Sequence, residues 1–430
     1  MMNQEEALQE TVPSPKPVLR SIAAREDEGK TVLTGRKIQS SITYELLEKI
    51  GVGGMGEVYK ARLMSNLGTS EVVALKKIRN DLAIADPEDR KEVRDRFLQE
   101  ASIIAELNGH PNIVGFRGAD IMESDGDAGG ELYFVMEYVR GFDLKELLAL
   151  HRIDTRHLLA GRALMIPNEF IGFLLFKVAN ALHHAHTYRF SDGSHGIAHL
   201  DLSPGNILIN GQLGLIKISD FGIASTLAEM RAKIAKGYFL GKPAYMAPEL
   251  IEHDIADFTV DFYSLGVIMY QLLTGINPNR IAGLTQLPNQ EVASVIADYQ
   301  KRPLVPPHRI AKGINQELSE IVMTMLEYKR ENRYSSACRL RDLVGEVVYR
   351  HGYGPTDHSF ALYLNKMKMI QLVHLQRDET GNLDPVKIGR REYDMKMLEM
   401  VEMFDAHAAP LWLHGDALAQ LAEGRNPCRA

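Results

Sequence analysis

Gly51-Val52-Gly53-Gly54-Met55-Gly56-Glu57-Val58 is the stretch on which the reading of this chain turns. It lies between two runs of strand character, Thr43–Ile50 and Glu57–Arg62. Glycines let backbone N–H groups approach phosphate oxygens with no Cβ in the way. A plain Gly-rich hairpin or a dinucleotide loop has the same spacing. The dinucleotide loop needs a helix straight after its glycines, whereas Val58-Tyr59-Lys60 continues as strand.

Working outward, Val73-Ala74-Leu75-Lys76 is a further strand. Alternate strand residues share a face, so Ala74 and Lys76 point the same way; if the glycine loop cradles a nucleotide, Ala74 would cover an adenine ring and Lys76 would reach phosphates. Lys77 points the other way and reads as a surface residue. A buried ammonium needs a carboxylate. Glu100, on a helix expected over 91–107, is the candidate partner, although most glutamates on helices are simply solvated. Strand-like runs at Val114–Ala119 and Leu132–Tyr138 complete a small antiparallel sheet with one helix over 43–139.

From residue 140 to 350 the pattern is mainly helical. Phe170–His186 and Val260–Leu273 are long and largely apolar, as buried helices are. Two short strands fit between them, around Ile207–Ile209 and Leu215–Ile218. A strand-rich small half and a helix-rich large half make an α+β, two-lobed fold with a ligand cleft between the lobes. Residues 1–42, with Pro13, Pro15 and Pro17 and no apolar periodicity, read as a largely disordered arm. In 351–430, Met397, Leu398, Val401 and Phe404 share one helical face. This stretch is either a regulatory extension or a tail packed on the large lobe.

The composition is that of an ordinary soluble globular protein: 430 residues, 45% apolar, 24% charged, net charge −7. A mildly acidic chain is not built for nucleic acid, which needs clustered Lys and Arg. Two cysteines make neither a disulfide framework nor a zinc site. No apolar run approaches the roughly 20 residues of a membrane span, and residues 1–20 have no signal-peptide core. The expected location is the cytoplasm; the oligomeric state is not legible. His183, His184 and His186 do not share one helical face, so they read as partly exposed helix residues and not as a metal site.

Several further motifs occur in order: Met136-Glu137-Tyr138-Val139, His199-Leu200-Asp201-Leu202-Ser203-Pro204-Gly205-Asn206, Asp220-Phe221-Gly222 and Met246-Ala247-Pro248-Glu249. With the glycine loop and Lys76 they resemble the protein kinase superfamily, most closely the eukaryotic-like Ser/Thr kinases of bacteria, over about residues 43–350. The resemblance implies ATP as phosphoryl donor with Mg²⁺, or Mn²⁺ in its place, and protein substrates with Ser/Thr acceptors, the chain itself among them. It implies that Asp201 receives the acceptor proton, that Lys76 and Glu100 pair, and that Asn206 and Asp220 hold the metal. The nucleotide would contact Ile50, Gly51, Val52, Gly53, Gly54, Met55, Gly56, Glu57, Val58, Ala74, Lys76, Met136, Glu137, Val139, Asp143 and Leu208. Glu249 would pair with Arg333, Asp261 would hold the backbone of the 199–206 loop, and His199 would be packed and structural.

Three positions depart from the family pattern. Ser203 stands where these kinases usually carry a Lys, and Lys242 where they usually carry a Thr. The expected consequence is that Lys242 reaches back to Asp201 and supplies the cation that Ser203 cannot. The rival expectations are a solvated Lys242 with a slower enzyme, a pseudokinase that binds ATP as a scaffold, and a kinase of small molecules. The third departure is Leu200, which replaces the Arg that commonly meets a phosphorylated activation loop. The segment has few acceptors, namely Ser225, Thr226 and Tyr238. Replacing Ser225 and Thr226 by Glu should therefore leave kcat within about threefold of wild type. A many-fold rise in steady-state assays contradicts this reading.

Overall fold

The computed structural model describes residues 37–39, 43–53, 56–64, 69–78, 97–98, 100–122, 131–150, 166–190, 196–221, 225–226, 242–252, 257–281, 289–375 and 412–413. The small lobe is a six-stranded antiparallel sheet in the order β1-β2-β3-β4-β6-β5. Its strands are Lys37–Gln39, Thr43–Gly53, Gly56–Met64, Ser70–Ile78, Phe116–Met122 and Glu131–Glu137, numbered β1 to β6. One helical stretch, at 100–106, follows β4. Three residues of the expected N-terminal arm thus join the sheet as its edge, Lys37 to Gln39 pairing with Glu45 to Thr43. The rest of that arm lies outside the described residues. So does the expected 393–405 helix.

In the small lobe, β2 buries alternate residues, Tyr44 and Leu46, whereas the central strands β4 and β6 are covered on both faces, with unbroken buried runs at Val73–Lys76 and Leu132–Val135. Tyr44, Leu46, Ala61, Val73, Leu75, Tyr133 and Val135 pack together on one side of the sheet. Phe97, Ile104 and Phe134 belong to the other, larger core, which continues into the second lobe. Phe97 stacks on Phe134 with ring centroids 4.5 Å apart.

The large lobe is organised around two helices, Asn168–Thr187 and Thr259–Thr274. Every residue of the second is buried, as an all-round apolar helix at the centre of a lobe must be. It ends on Gly275 at φ 75°, the left-handed cap position that glycine takes without strain. Three short strands lie between the lobes: β7 (Gly141–Asp143), β9 (Ile207–Asn210) and β10 (Ile216–Ile218), in the order β10-β9-β7. β7 needs glycine at 141, where a Cβ would sit 1.8 Å from the carbonyl oxygen of Ile209. Two-residue strands, β8 (Ile197–Ala198) and β11 (Ser225–Thr226), pair with each other beyond them. A further short pair joins β12 (Ala311–Lys312) to β13 (Trp412–Leu413).

Two buried carboxylates, Glu249 and Asp261, hold the large lobe to its loops. Arg333 meets Glu249 with both ends of its guanidinium, at 2.7 and 2.8 Å. The Asp261 carboxylate, fully buried, accepts from the backbone N–H groups of His199 and Leu200, each at 2.9 Å, and contacts His186 Nε2 at 2.8 Å. His186 is therefore a buried structural partner and not the partly exposed residue expected. Its side chain lies on the inner face of its helix, against Phe258 and Phe262. Beyond residue 350, the helix Asp357–Leu375 packs on the large lobe through Phe360, Leu364 and Met367. Lys177 anchors its first turn to Asp357 at 2.9 Å. For these residues the tail packs as a plain structural addition.

Burial by itself raises the Asp261 carboxyl. The hydrogen bond and charge of His186, with help from His199, more than reverse this and hold it below the ordinary aspartate range. A depressed folded-state pKa gives stability that is present above the unfolded value and lost as pH falls through the folded one. Asp261→Asn would set an amide N–H against a backbone donor, at a cost of about 1–3 kcal/mol. Denaturant melts should show a gap between wild type and this variant that is constant near neutral pH and narrows below about pH 4. A gap unchanged at acid pH contradicts the arrangement.

Candidate active site

The glycine run forms the tip of the β2–β3 hairpin, with Gly51 opposite Val58, Val52 opposite Glu57 and Gly53 opposite Gly56. Gly54 and Met55 lie outside the described residues. Ile50 leads into the tip. Glu57 bonds Lys49 and Tyr59. On β4, Ala74 pairs with Met136 and Lys76 with Phe134, so Ala74 sits beside the connection between the lobes. Lys77 turns away and meets Glu131 at the rim.

Lys76 is 4% exposed, and its ammonium lies 2.6 Å from Asp220 Oδ1. This differs from the expected Lys76–Glu100 pair: among the described ion pairs, Lys76 meets Asp220. Glu100 is half-buried on the 100–106 helix. Asp220, which stands just after β10 at φ 63°, a left-handed conformation, occupies the Lys76 ammonium, and Glu100 makes an interaction of its own. Burial alone would raise the Asp220 carboxyl; Lys76, by charge and hydrogen bond, with weaker help from His199 and Lys242, holds it below its usual range. The two residues are far apart in sequence and come from different lobes, so the pair closes the inner end of the cleft. Met136, Phe134 and Ile104 line the apolar wall beside it.

Asp201 and Asn206 are brought together by the turn Pro204–Asn206. Asn206 Nδ2 donates to the Asp201 carbonyl at 2.7 Å and to Asp201 Oδ2 at 3.1 Å. The amide is thereby oriented, and its oxygen is the atom left over for a cation. Ser219 N donates to the Asn206 carbonyl at 2.9 Å, fastening this turn to the Asp220 strand. His199, fully buried, contacts the Ser219 carbonyl through Nε2 at 2.9 Å. Lys242 Nζ lies 2.8 Å from Asp201 Oδ2 and 3.0 Å from Ser203 Oγ. Among the described residues, the second carboxylate oxygen, Asp201 Oδ1, is buried and has no hydrogen-bond partner. A buried, unpaired acceptor is costly to keep.

The remaining sequence candidates line the connection between the lobes. Asp143 caps the helix Leu144–Leu150, accepting from Glu146 N at 2.7 Å while Glu146 accepts from Asp143 N at 3.1 Å. Leu208 pairs with Asp143 across β7 and β9. The Glu137 N–H bonds the Gly115 carbonyl at 2.7 Å. Its carboxylate receives Gly115 N at 3.0 Å and Lys217 Nζ at 2.9 Å. Val139 follows in the same connection. Sequence reasoning missed Lys217 and Asn112, whose Nδ2 donates to the Ile216 carbonyl at 2.8 Å. Lys217 carries no motif signal, and Asn112 was read only as part of Pro111-Asn112-Ile113-Val114, with no role of its own.

A family model described as "Protein kinase domain" matches residues 44–344. Among curated proteins, the chain is 33% identical to the serine/threonine-protein kinase PknB of Mycobacterium tuberculosis, over 70% of this chain and 42% of that one. It is 31% identical to the probable serine/threonine-protein kinase PknB of Bifidobacterium longum, over 74% of this chain and 41% of that one. It is also 30% identical to the tyrosine-protein kinase MasK of Myxococcus xanthus, over 72% of this chain and 43% of that one. The chain spans about two-fifths of the length of these relatives. The fold, the order of motifs and the family match agree: this chain belongs to the protein kinase domain family, whose members use ATP and a divalent cation.

Proposed function

We propose that the chain transfers the γ-phosphoryl group of ATP, with Mg²⁺, to serine and threonine hydroxyls of cytoplasmic proteins. The observation that carries this reading is Asp201. One of its oxygens is held by Asn206 and Lys242, and the other is buried and, among the described residues, unpaired. That oxygen, Oδ1, takes the acceptor proton. The acceptor oxygen forms a bond to Pγ, the bond from Pγ to the β–γ bridging oxygen breaks, and ADP leaves with that electron pair.

The donor atoms suit a small hard cation: the Asp220 carboxylate and the Asn206 amide oxygen would hold it, with phosphates and water completing the shell. Bound there, Mg²⁺ would neutralise charge on the phosphates. Lys76 orients the phosphates. Ile50, Val58, Ala74 and Leu208 enclose the base, with Met136 behind it and the backbone of Glu137 and Val139 at its edge. Asp143 faces the ribose.

Mass spectrometry of the purified chain after incubation with Mg²⁺ and ATP should find phosphate on serine or threonine. Asp201→Asn should lower the rate of incorporation by about 10²–10⁴-fold. Equal incorporation in both proteins contradicts the proposal, and phosphate on tyrosine alone contradicts its acceptor class.

A further inference from the structure

We infer that Lys242 is the catalytic cation of this kinase, delivered to the transferring phosphoryl group from the segment beyond the activation loop and not from the 199–206 loop. The inference rests on the kinase reading above and deepens it. Three observations carry it.

First, Lys242 is the cation that touches Asp201 among the described ion pairs. Lys76 contacts Asp220 and not Asp201. Second, Ser203, in the same loop as Asp201, supplies a hydroxyl where the transferring group would profit from a charge. It is 1% exposed, and its oxygen holds Lys242 Nζ at 3.0 Å. The three side chains form a closed set: carboxylate, ammonium and hydroxyl, with the ammonium between the other two. Ser203 is a positioning residue here, and Lys242 is the group that meets substrate. Third, the Lys242 backbone is firmly mounted. Its carbonyl accepts from Tyr245 N at 2.9 Å, closing the turn Pro243–Tyr245. The Tyr245 carbonyl accepts from Ser264 Oγ at 2.8 Å, and Tyr245 OH contacts Gln271 at 3.1 Å, both on the buried central helix.

Half of the Lys242 side chain nevertheless remains exposed. A solvated surface lysine would gain little from an exposed ion pair and has no reason to seek out the inner Ser203. A cation held at Asp201 Oδ2 sits beside the path of the proton, which goes to Oδ1. When the acceptor oxygen bonds Pγ and ADP departs with the electron pair of the broken bond, Lys242 neutralises charge on the equatorial phosphate oxygens. A fixed cation that meets charge as it develops lowers the barrier without needing to tighten nucleotide binding.

The test measures kcat at saturating ATP and peptide, together with Mg·ADP affinity by titration calorimetry. The proteins are wild type, Lys242→Met, the exchange variant Ser203→Lys/Lys242→Thr, and Asp201→Asn. Lys242→Met should lower kcat by about 10²–10³-fold while Mg·ADP affinity stays within about twofold. The exchange variant, which returns an ammonium to the set from the opposite side, should recover to within about tenfold of wild type. Lys242→Met turning over within about threefold of wild type overturns the inference. So does an exchange variant no faster than Lys242→Met, because a purely structural lysine would not be rescued by a charge placed at 203. Wild type no faster than Asp201→Asn removes the kinase reading itself, and the role of Lys242 with it.

Discussion

One buried carboxylate, Asp261, is the constraint on which the site depends. Leu200 sits at φ 66°, a conformation that a branched side chain resists. Two backbone N–H groups converge there in the middle of the large lobe, far from water. The Asp261 carboxylate accepts both and offsets the strain. It comes from the first turn of the fully buried helix Thr259–Thr274, so the loop inherits the rigidity of the lobe's centre. Asp201 follows directly, on backbone that these two hydrogen bonds hold in place.

The second organising contact spans the lobes. Lys76 on β4 and Asp220 after β10 bring a positive and a negative group to the inner end of the cleft. Each is a group that phosphates or a metal would claim. The pair therefore stores both charges at the site, and binding of nucleotide with its cation would exchange partners without burying a new unpaired charge. The Glu137–Lys217 contact does related work at the outer edge. It ties the residue at the connection to the strand that leads to Asp220, so the lobes are fastened at two levels.

Much of this was legible in the sequence because it is local. The alternation in Val73–Lys76, the glycine hairpin and the apolar helices are read from periods of 2 and 3.6 residues, and the observed elements agree to within a few residues. The approach of Lys242 to Asp201 was legible from a pair of displaced residue types. The partner of Lys76 was not, because it lies 144 residues further along the chain, in the other lobe, where no local pattern points to it. The burial of His186 was missed for a similar reason: its partner lies on another helix, and three nearby histidines on one helix look alike until their faces are fixed. Leu200 at positive φ runs against every local propensity, and only the distant Asp261 explains it.

The central claim is that Lys76, Asn206 and Asp220, with Asp201 beside them, surround a triphosphate and its metal between the lobes. Crystals of the full chain with Mn²⁺ and a non-hydrolysable ATP analogue would test it through the anomalous signal of the metal. The account predicts a peak about 2 Å from the oxygens of both Asp220 and Asn206, with the Lys76 ammonium moved from Asp220 to the phosphates. A metal peak away from these two residues, or a nucleotide bound outside the cleft, would contradict it.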